Sequence, residues 1–357
     1  MTKLRVLVVE DSLTIRKRLV EVLSSDAHFE VIGEAPDGRT AIELCTSMRP
    51  DVITMDMVLP GVNGLAATEH IMAHCPTPIL IVSASFNRGD VFTTYDALAA
   101  GAVDVFEKPR GDEADGHWER GFLSALRMVS RVRVITHPRA RLSQLRAQTV
   151  AARSSRPAAQ SGELIVALGA STGGPNALVD VLSALPRAYP WPVLVVMHIN
   201  AAFAPMFADW LKSQLTRDVA YARSGEQLSA LRGCVRLAPA DVHMTVQGGA
   251  LQLTTAPERH SCRPSVDVLF ESLARECGGN VVACLLTGMG RDGAAGLLAL
   301  RRSGARTIAQ NEETCVIYGM PREAVQLGAA EMVLGLGQIG PSLAALGSNA
   351  MGALGRP

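Results

Sequence analysis

The chain has 357 residues, 48% of them apolar, 19% charged and 4% aromatic, and its 34 basic side chains balance 34 acidic ones. At roughly 100–200 residues per domain, that length predicts two domains, each able to bury its own core. The apolar share excludes disorder for most of the chain, and the neutral balance argues against a protein built to coat nucleic acid or anionic lipid.

Seven cysteines (Cys45, Cys75, Cys234, Cys262, Cys277, Cys284 and Cys315) lie scattered, none in a CxxC pair. Neither a disulfide framework nor a zinc cluster is expected, and buried apolar packing is expected for most of them. The N-terminus reaches Glu10 after one short apolar run, unlike a signal peptide, and no apolar stretch approaches the ~20 residues that span a bilayer. A cytoplasmic location is expected, without membrane insertion.

In the first third of the chain, short β-branched runs recur: LRVLVVE, FEVIGEA, DVITMD, PILIVSA and AVDVFEK. Stretches with helical spacing separate them, such as Leu13, Ile15, Leu19, Val22 and Leu23. Strands alternating with helices predict an α/β fold, here a flavodoxin-like doubly wound domain over 1–134. Next comes a stretch from Arg120 to Gly162 with nine arginines and no acid. Its low-periodicity part, 135–161, reads as a linker, either a solvated tether or a basic docking strip. The alternation resumes in LIVALGA, PVLVVMH, VVACLLTG and RTIAQ. The interruption CVRLAPADVHMTVQGGALQLTT reads as hairpin-like, with Gly248-Gly249 at its turn. A second doubly wound, mostly parallel α/β domain with an antiparallel hairpin is expected over 162–350.

Ligands of open parallel sheets bind beyond the carboxyl ends of the strands. In the first domain those ends carry Glu10-Asp11, Asp56, Ser83 and Lys108. Three converging carboxylates repel one another unless a cation joins them, and oxygen ligands of this kind suit Mg²⁺. A carboxylate beside that ion can attack a phosphoryl donor, while Lys108 and Ser83 grip the new phosphoryl oxygens.

VVEDS (8–12), DMVLPGVNG (56–64), Ser83-Ala84 and EKP (107–109) resemble, in order and spacing, the receiver domain of two-component response regulators. The resemblance implies Asp56 as phosphoacceptor, Glu10, Asp11 and Asp56 as metal ligands, and Ser83 and Lys108 as the switch pair. Val105 stands where many receivers carry an aromatic switch residue.

In the second domain, GASTGG follows a strand and precedes a helix. This turn fits either a nucleophile elbow that lifts Ser171 above the sheet edge or a loop that cradles phosphate. A serine nucleophile needs a base and an orienter. His198 ends the next strand on the same edge, whereas His243 sits in the hairpin segment and His260 in a polar loop. Asp292 follows the third strand. Its rival Asp267 falls in SVDVLFESL, which reads as the first turns of a helix, where the dipole favours Asp. Glycines around Met289 leave its backbone N–H available to an oxyanion.

GASTGG (169–174), MHI (197–199), LAPADVH (237–243), RPSVDVLF (263–270), LTGMGRDGAAGL (286–297) and AQNEETCVIYGMPREA (309–324) resemble the catalytic domain of the chemotaxis protein-glutamate methylesterases. The resemblance places Ser171, His198 and Asp292 on that family's triad, with Met289 near the oxyanion. It implies phosphorylation-activated hydrolysis of glutamate methyl esters on chemoreceptors, with deamidation of receptor glutamines, in chemotactic adaptation. The implied partners are chemoreceptors and a chemotaxis histidine kinase, Mg²⁺ serves phosphorylation, and esterolysis takes no cofactor. The family commonly has Gln-His-Met followed by Pro-Pro-Gly-Phe, where this chain has Met197-His198-Ile199-Asn200-Ala201-Ala202-Phe203. Two other readings compete: an output domain that only binds DNA or a protein, and an esterase fold acting mainly as an adaptor. The first lacks a helix-turn-helix pattern, and its arginines lie in the linker.

Overall fold

The computed structural model describes residues 3–84, 88–109, 116–132, 134 and 164–354, with backbone only for 88–90 and 347–354. The expected linker, 135–161, lies outside them. The chain divides into two compact units, 1–160 and 161–357.

The first unit contains β1 (Leu4–Val9), β2 (Phe29–Ala35), β3 (Val52–Met55), β4 (Ile79–Ser83) and β5 (Asp104–Glu107). They pair in parallel in the order β2-β1-β3-β4-β5. Helices cover the sheet, so β3 and β4 are buried along their whole length and read as unbroken apolar runs. The helix Leu13–Ser25 starts where the Ser12 hydroxyl accepts from Ile15 N, and it buries Leu19, Val22 and Leu23. All five expected strands are present.

The second unit contains β6 (Ile165–Ala170), β7 (Val193–Met197), β8 (Val219–Tyr221), β9 (Val235–Leu237), β10 (His243–Gln247), β11 (Ala250–Thr254), β12 (Val281–Leu285), β13 (Arg306–Gln310) and β14 (Met332–Leu334). Seven of them form one parallel sheet in the order β14-β13-β12-β6-β7-β9-β8. Only β10 and β11 form the antiparallel hairpin, a separate two-stranded sheet. Here the structure corrects the sequence reading. The CVRL end of the expected hairpin segment supplies β9, which pairs in parallel with β7 and β8. The turn stands as read, with Gly248 and Gly249 at φ 57° and 76°, the left-handed pair that a two-residue hairpin loop requires. The chain proceeds from β6 to β7 on one side, and β12 to β14 lie on the other, so the order reverses beside β6. In open α/β sheets such a reversal at the carboxyl edge is where ligands bind.

Three of the seven cysteines, Cys45, Cys75 and Cys284, are buried, and the other four are half-buried. The expectation of buried apolar packing for most of them therefore fails. No helix among the described residues is long and apolar enough to cross a membrane.

Candidate active site

In the first unit, Glu10 and Asp11 follow β1, Asp56 follows β3, Ser83 ends β4 and Lys108 follows β5. Lys108 Nζ stands 2.9 Å from both Glu10 Oε2 and Asp56 Oδ2. Neither oxygen receives a well-directed hydrogen bond, so each buried carboxylate keeps unspent acceptor capacity. One oxygen from each of Glu10, Asp11 and Asp56 lies within 4.8 Å of the others, and Asp11 is exposed. A hard divalent cation fits this donor set. Burial, and then the Asp56 charge, push the Glu10 carboxyl up to about 7. Burial also raises Asp56. Burial works against the Lys108 cation, but Asp56 and Glu10 outweigh it and raise its pKa. Ser83 is buried, and its hydroxyl lies 3.5 Å from Thr94 Oγ1.

In the second unit, Ser171 and His198 follow the neighbouring strands β6 and β7, whose last pair in register is Ala170 and Met197. The His198 N–H donates to Ala170 O at 3.0 Å, which ties the two strand ends together. Ser171 N–H donates to Thr287 O at 3.0 Å, beyond the end of β12. The turn after Ser171 is tight, and Gly173 sits at φ 77° directly before the helix Gly174–Ser183. Gly288 fits against the serine, since a Cβ there would meet Ser171 Cβ at 2.7 Å and Met320 Sδ at 2.4 Å.

His198 Nε2 donates to Asp292 Oδ2 at 2.8 Å, because a carboxylate can only accept. In the neutral ring Nδ1 is therefore left as the proton acceptor. Asp292 is buried and fully engaged. Its Oδ1 accepts from Ser265 Oγ at 2.7 Å and Asp267 N at 3.2 Å, and its Oδ2 also accepts from Val266 N at 2.7 Å. Those donors open the helix Val266–Glu276, whose dipole favours an anion at this end. Burial works to raise the Asp292 carboxyl, but the His198, Ser265 and Val266 hydrogen bonds hold it below the usual carboxylate range. Burial likewise disfavours the His198 cation, yet hydrogen bonds to Asp292 and then Cys262 push its pKa up to about 9.

Among the described residues the Ser171 hydroxyl has no hydrogen-bond partner, so its link to His198 is not formed here. Met289 is 57% exposed, and its backbone N–H donates no hydrogen bond among the described residues. Asp267 lies in the first helical turn, as expected, and accepts from Gly296 N at 2.6 Å and His260 Nε2 at 3.2 Å. His243 is fully buried between Pro257 O and Ser265 N, a packing role. The loop after His198 closes without prolines. Asn200 Oδ1 accepts from Ala202 N at 2.9 Å, and its carbonyl accepts from Phe203 N and Ala204 N, both at 3.0 Å.

Sequence reasoning gave no role to Cys262 or Ser265, and took Gly288 only as one of the glycines that free the Met289 N–H, not as a neighbour of Ser171. Ser265 lies inside the RPSVD run and Cys262 directly before it, and that run was the available signal. Gly288 lies inside LTGMG and is marked only by its neighbours in space.

A CheB methylesterase profile matches residues 166–343, and a response regulator receiver domain profile matches residues 6–114. A curated relative from Nitrosospira multiformis, a protein-glutamate methylesterase/protein-glutamine glutaminase, is 42% identical, with 95% of this chain and 96% of its own covered. One of the same description from Pseudomonas aeruginosa is 44% identical, with 95% of each covered. The crystal structure of the Thermotoga maritima CheB methylesterase catalytic domain is 34% identical, covers 52% of this chain and 99% of that one, and superposes with a TM-score of 0.49. The chain belongs to the protein-glutamate methylesterase/protein-glutamine glutaminase family, with a response regulator receiver domain ahead of its methylesterase domain.

Proposed function

We propose that this chain hydrolyses glutamate methyl esters on chemoreceptors in chemotactic adaptation, that phosphorylation of Asp56 raises its rate, and that it also deamidates receptor glutamines. The observation that carries this reading is the 2.8 Å hydrogen bond from His198 to Asp292 on the edge that bears Ser171. Ser171 Oγ attacks the ester carbonyl carbon while its proton passes to His198 Nδ1. The Met289 N–H receives the developing oxyanion. The imidazolium returns its proton to the departing oxygen, methanol leaves, and Ser171 holds a glutamyl ester. Water, deprotonated by the same nitrogen, then releases the glutamate carboxylate. With a glutamine the leaving group is ammonia. Asp292 orients the ring and offsets its positive charge.

In the receiver, Asp56 accepts the phosphoryl group, and Lys108 and Ser83 take up its oxygens by charge and by hydroxyl hydrogen bond. Glu10, Asp11 and Asp56 would hold Mg²⁺, which neutralises phosphoryl charge when bound. The receiver spans 1–134, the linker 135–161 and the esterase 162–350. The protein works in the cytoplasm with chemoreceptors as substrate and a chemotaxis histidine kinase as phosphodonor, without nucleic acid or membrane insertion. Methanol release from methylated receptors, with and without a small-molecule phosphodonor, tests the proposal. Wild type should be stimulated and Asp56→Asn should not; equal stimulation of both would refute the phosphorylation gate.

A further inference from the structure

Cys262 brings a thiol to the histidine nitrogen that Asp292 leaves unused. Its sulfur lies 3.9 Å from His198 Nδ1. The sulfur also lies 3.4 Å from the His260 carbonyl oxygen, a second acceptor for the thiol proton. Sulfur and Nδ1 thus meet across a position that holds a proton, from the ring or from the thiol, and that a soft cation can take in its place. Tetrahedral Zn²⁺, with nitrogen at about 2.1 Å and sulfur at about 2.3 Å, sets those two atoms roughly 3.6 Å apart. The gap seen is close to that value.

The surroundings are also those of a metal-binding imidazole. Asp292 accepts from the opposite ring nitrogen, which fixes the tautomer and raises the basicity of Nδ1. Its own oxygens are occupied by Ser265, Val266 and Asp267, so it orients the ring and does not ligate. Cys262 is held by a tight turn in which Arg259 N donates to Cys262 O at 3.1 Å and Cys262 N donates to Arg259 O at 2.9 Å. Within it, His260 and Ser261 take φ of 53° and 59°, left-handed values for residues with side chains.

We propose that His198 Nδ1 and Cys262 Sγ form a site for Zn²⁺, whose binding shuts off the esterase by occupying the base. Zn²⁺ is favoured over Mg²⁺ because thiolate and imidazole are softer ligands than oxygen. On binding, the S–H bond breaks as the S–Zn bond forms, the proton leaves to solvent, and no electron is transferred. Water completes the coordination. The inhibition rests on His198 acting as the base proposed above, whereas the binding does not.

Co²⁺ is the spectroscopic probe, added to the full chain with excess Mg²⁺ to occupy the carboxylates of the receiver. Wild type should show a near-ultraviolet thiolate-to-cobalt band saturating at one ion per chain, and Cys262→Ser should lack it. His198→Gln should weaken Co²⁺ binding at least about tenfold. In parallel, Zn²⁺ should suppress methanol release by wild type, with recovery on adding a chelator. Cys262→Ser, scaled to its own rate in chelator, should need at least tenfold more Zn²⁺. A band that survives in Cys262→Ser, or equal Zn²⁺ sensitivity of the two proteins, overturns the site. Loss of the esterase reading would appear separately, as absent methanol release in chelator, and the cobalt band would still decide the binding.

Discussion

Ser265 donates its hydroxyl hydrogen bond to Asp292 Oδ1 at 2.7 Å and in the same position caps the helix Val266–Glu276 by accepting from Val268 N. One side chain thus starts a helix and seats the carboxylate that orients His198. The backbone N–H groups of Val266 and Asp267 complete that seat. The geometry of the His198–Asp292 pair is therefore bound to the stability of this helix end.

Ser265→Ala should cost both. Loss of a cap and of a buried charge-assisted hydrogen bond predicts about 1–3 kcal/mol of stability, readable in urea titrations. The freed carboxylate should also lower kcat for methanol release, while Ser265→Thr should restore much of the loss. Unchanged kcat in a destabilised Ser265→Ala would restrict the residue to its helix cap.

Gly288→Ala should displace Ser171, the proposed nucleophile. The added methyl group has no room between Ser171 Cβ and Met320 Sδ. A shift on the order of 1 Å at the reacting atom lowers rate by about 10²-fold. Steady-state kinetics should show the fall mainly in kcat; Gly288→Ala with wild-type kcat would contradict this packing.

With a chelator present, the acid limb of kcat/KM should lie well above pH 6.5, because His198 must lose its proton before it can accept one from Ser171. Its pKa of about 9 means that the neutral, active form gains as pH rises through that region. Cys262→Ala removes one cause of the shift, so the limb should move to lower pH. A limb at or below pH 6.5 in wild type would count against the Asp292 and Cys262 contacts.

Glu10 makes the opposite kind of contribution. Its folded pKa of about 7 exceeds the ordinary 4.5, so the folded receiver retains a proton that the unfolded chain gives up. Stability in chelator should therefore fall as pH rises from 4.5 to 7. Glu10→Gln should flatten that decline and gain up to about 3 kcal/mol at pH 7. Calorimetry across this range checks it; a parallel decline in both proteins would exclude Glu10 as the source.

The sequence exposes the central strands because parallel sheets covered on both faces demand unbroken apolar runs, as in β3, β6 and β12. Three-residue strands such as β8, β9 and β14 are too short to carry a period, and in sequence β9 runs on into the hairpin segment without a break in pattern. Ser171, His198 and Asp292 are legible as residues following strands on one edge. Cys262, Ser265 and the packing of Gly288 on Ser171 are not, since each acts through a neighbour remote in sequence: Cys262 on His198, Ser265 on Asp292, Gly288 on Ser171. A pattern of residue types marks an edge, and only packing shows what presses on it.

The proposed mechanism rests on Ser171 as the nucleophile of this edge. The most direct test is the rate of methanol release from methylated chemoreceptors by Ser171→Ala, with wild type alongside and the phosphodonor present. A loss of at least about 10³-fold in kcat is expected, with the protein still folded. Retention of a rate within tenfold of wild type would contradict it.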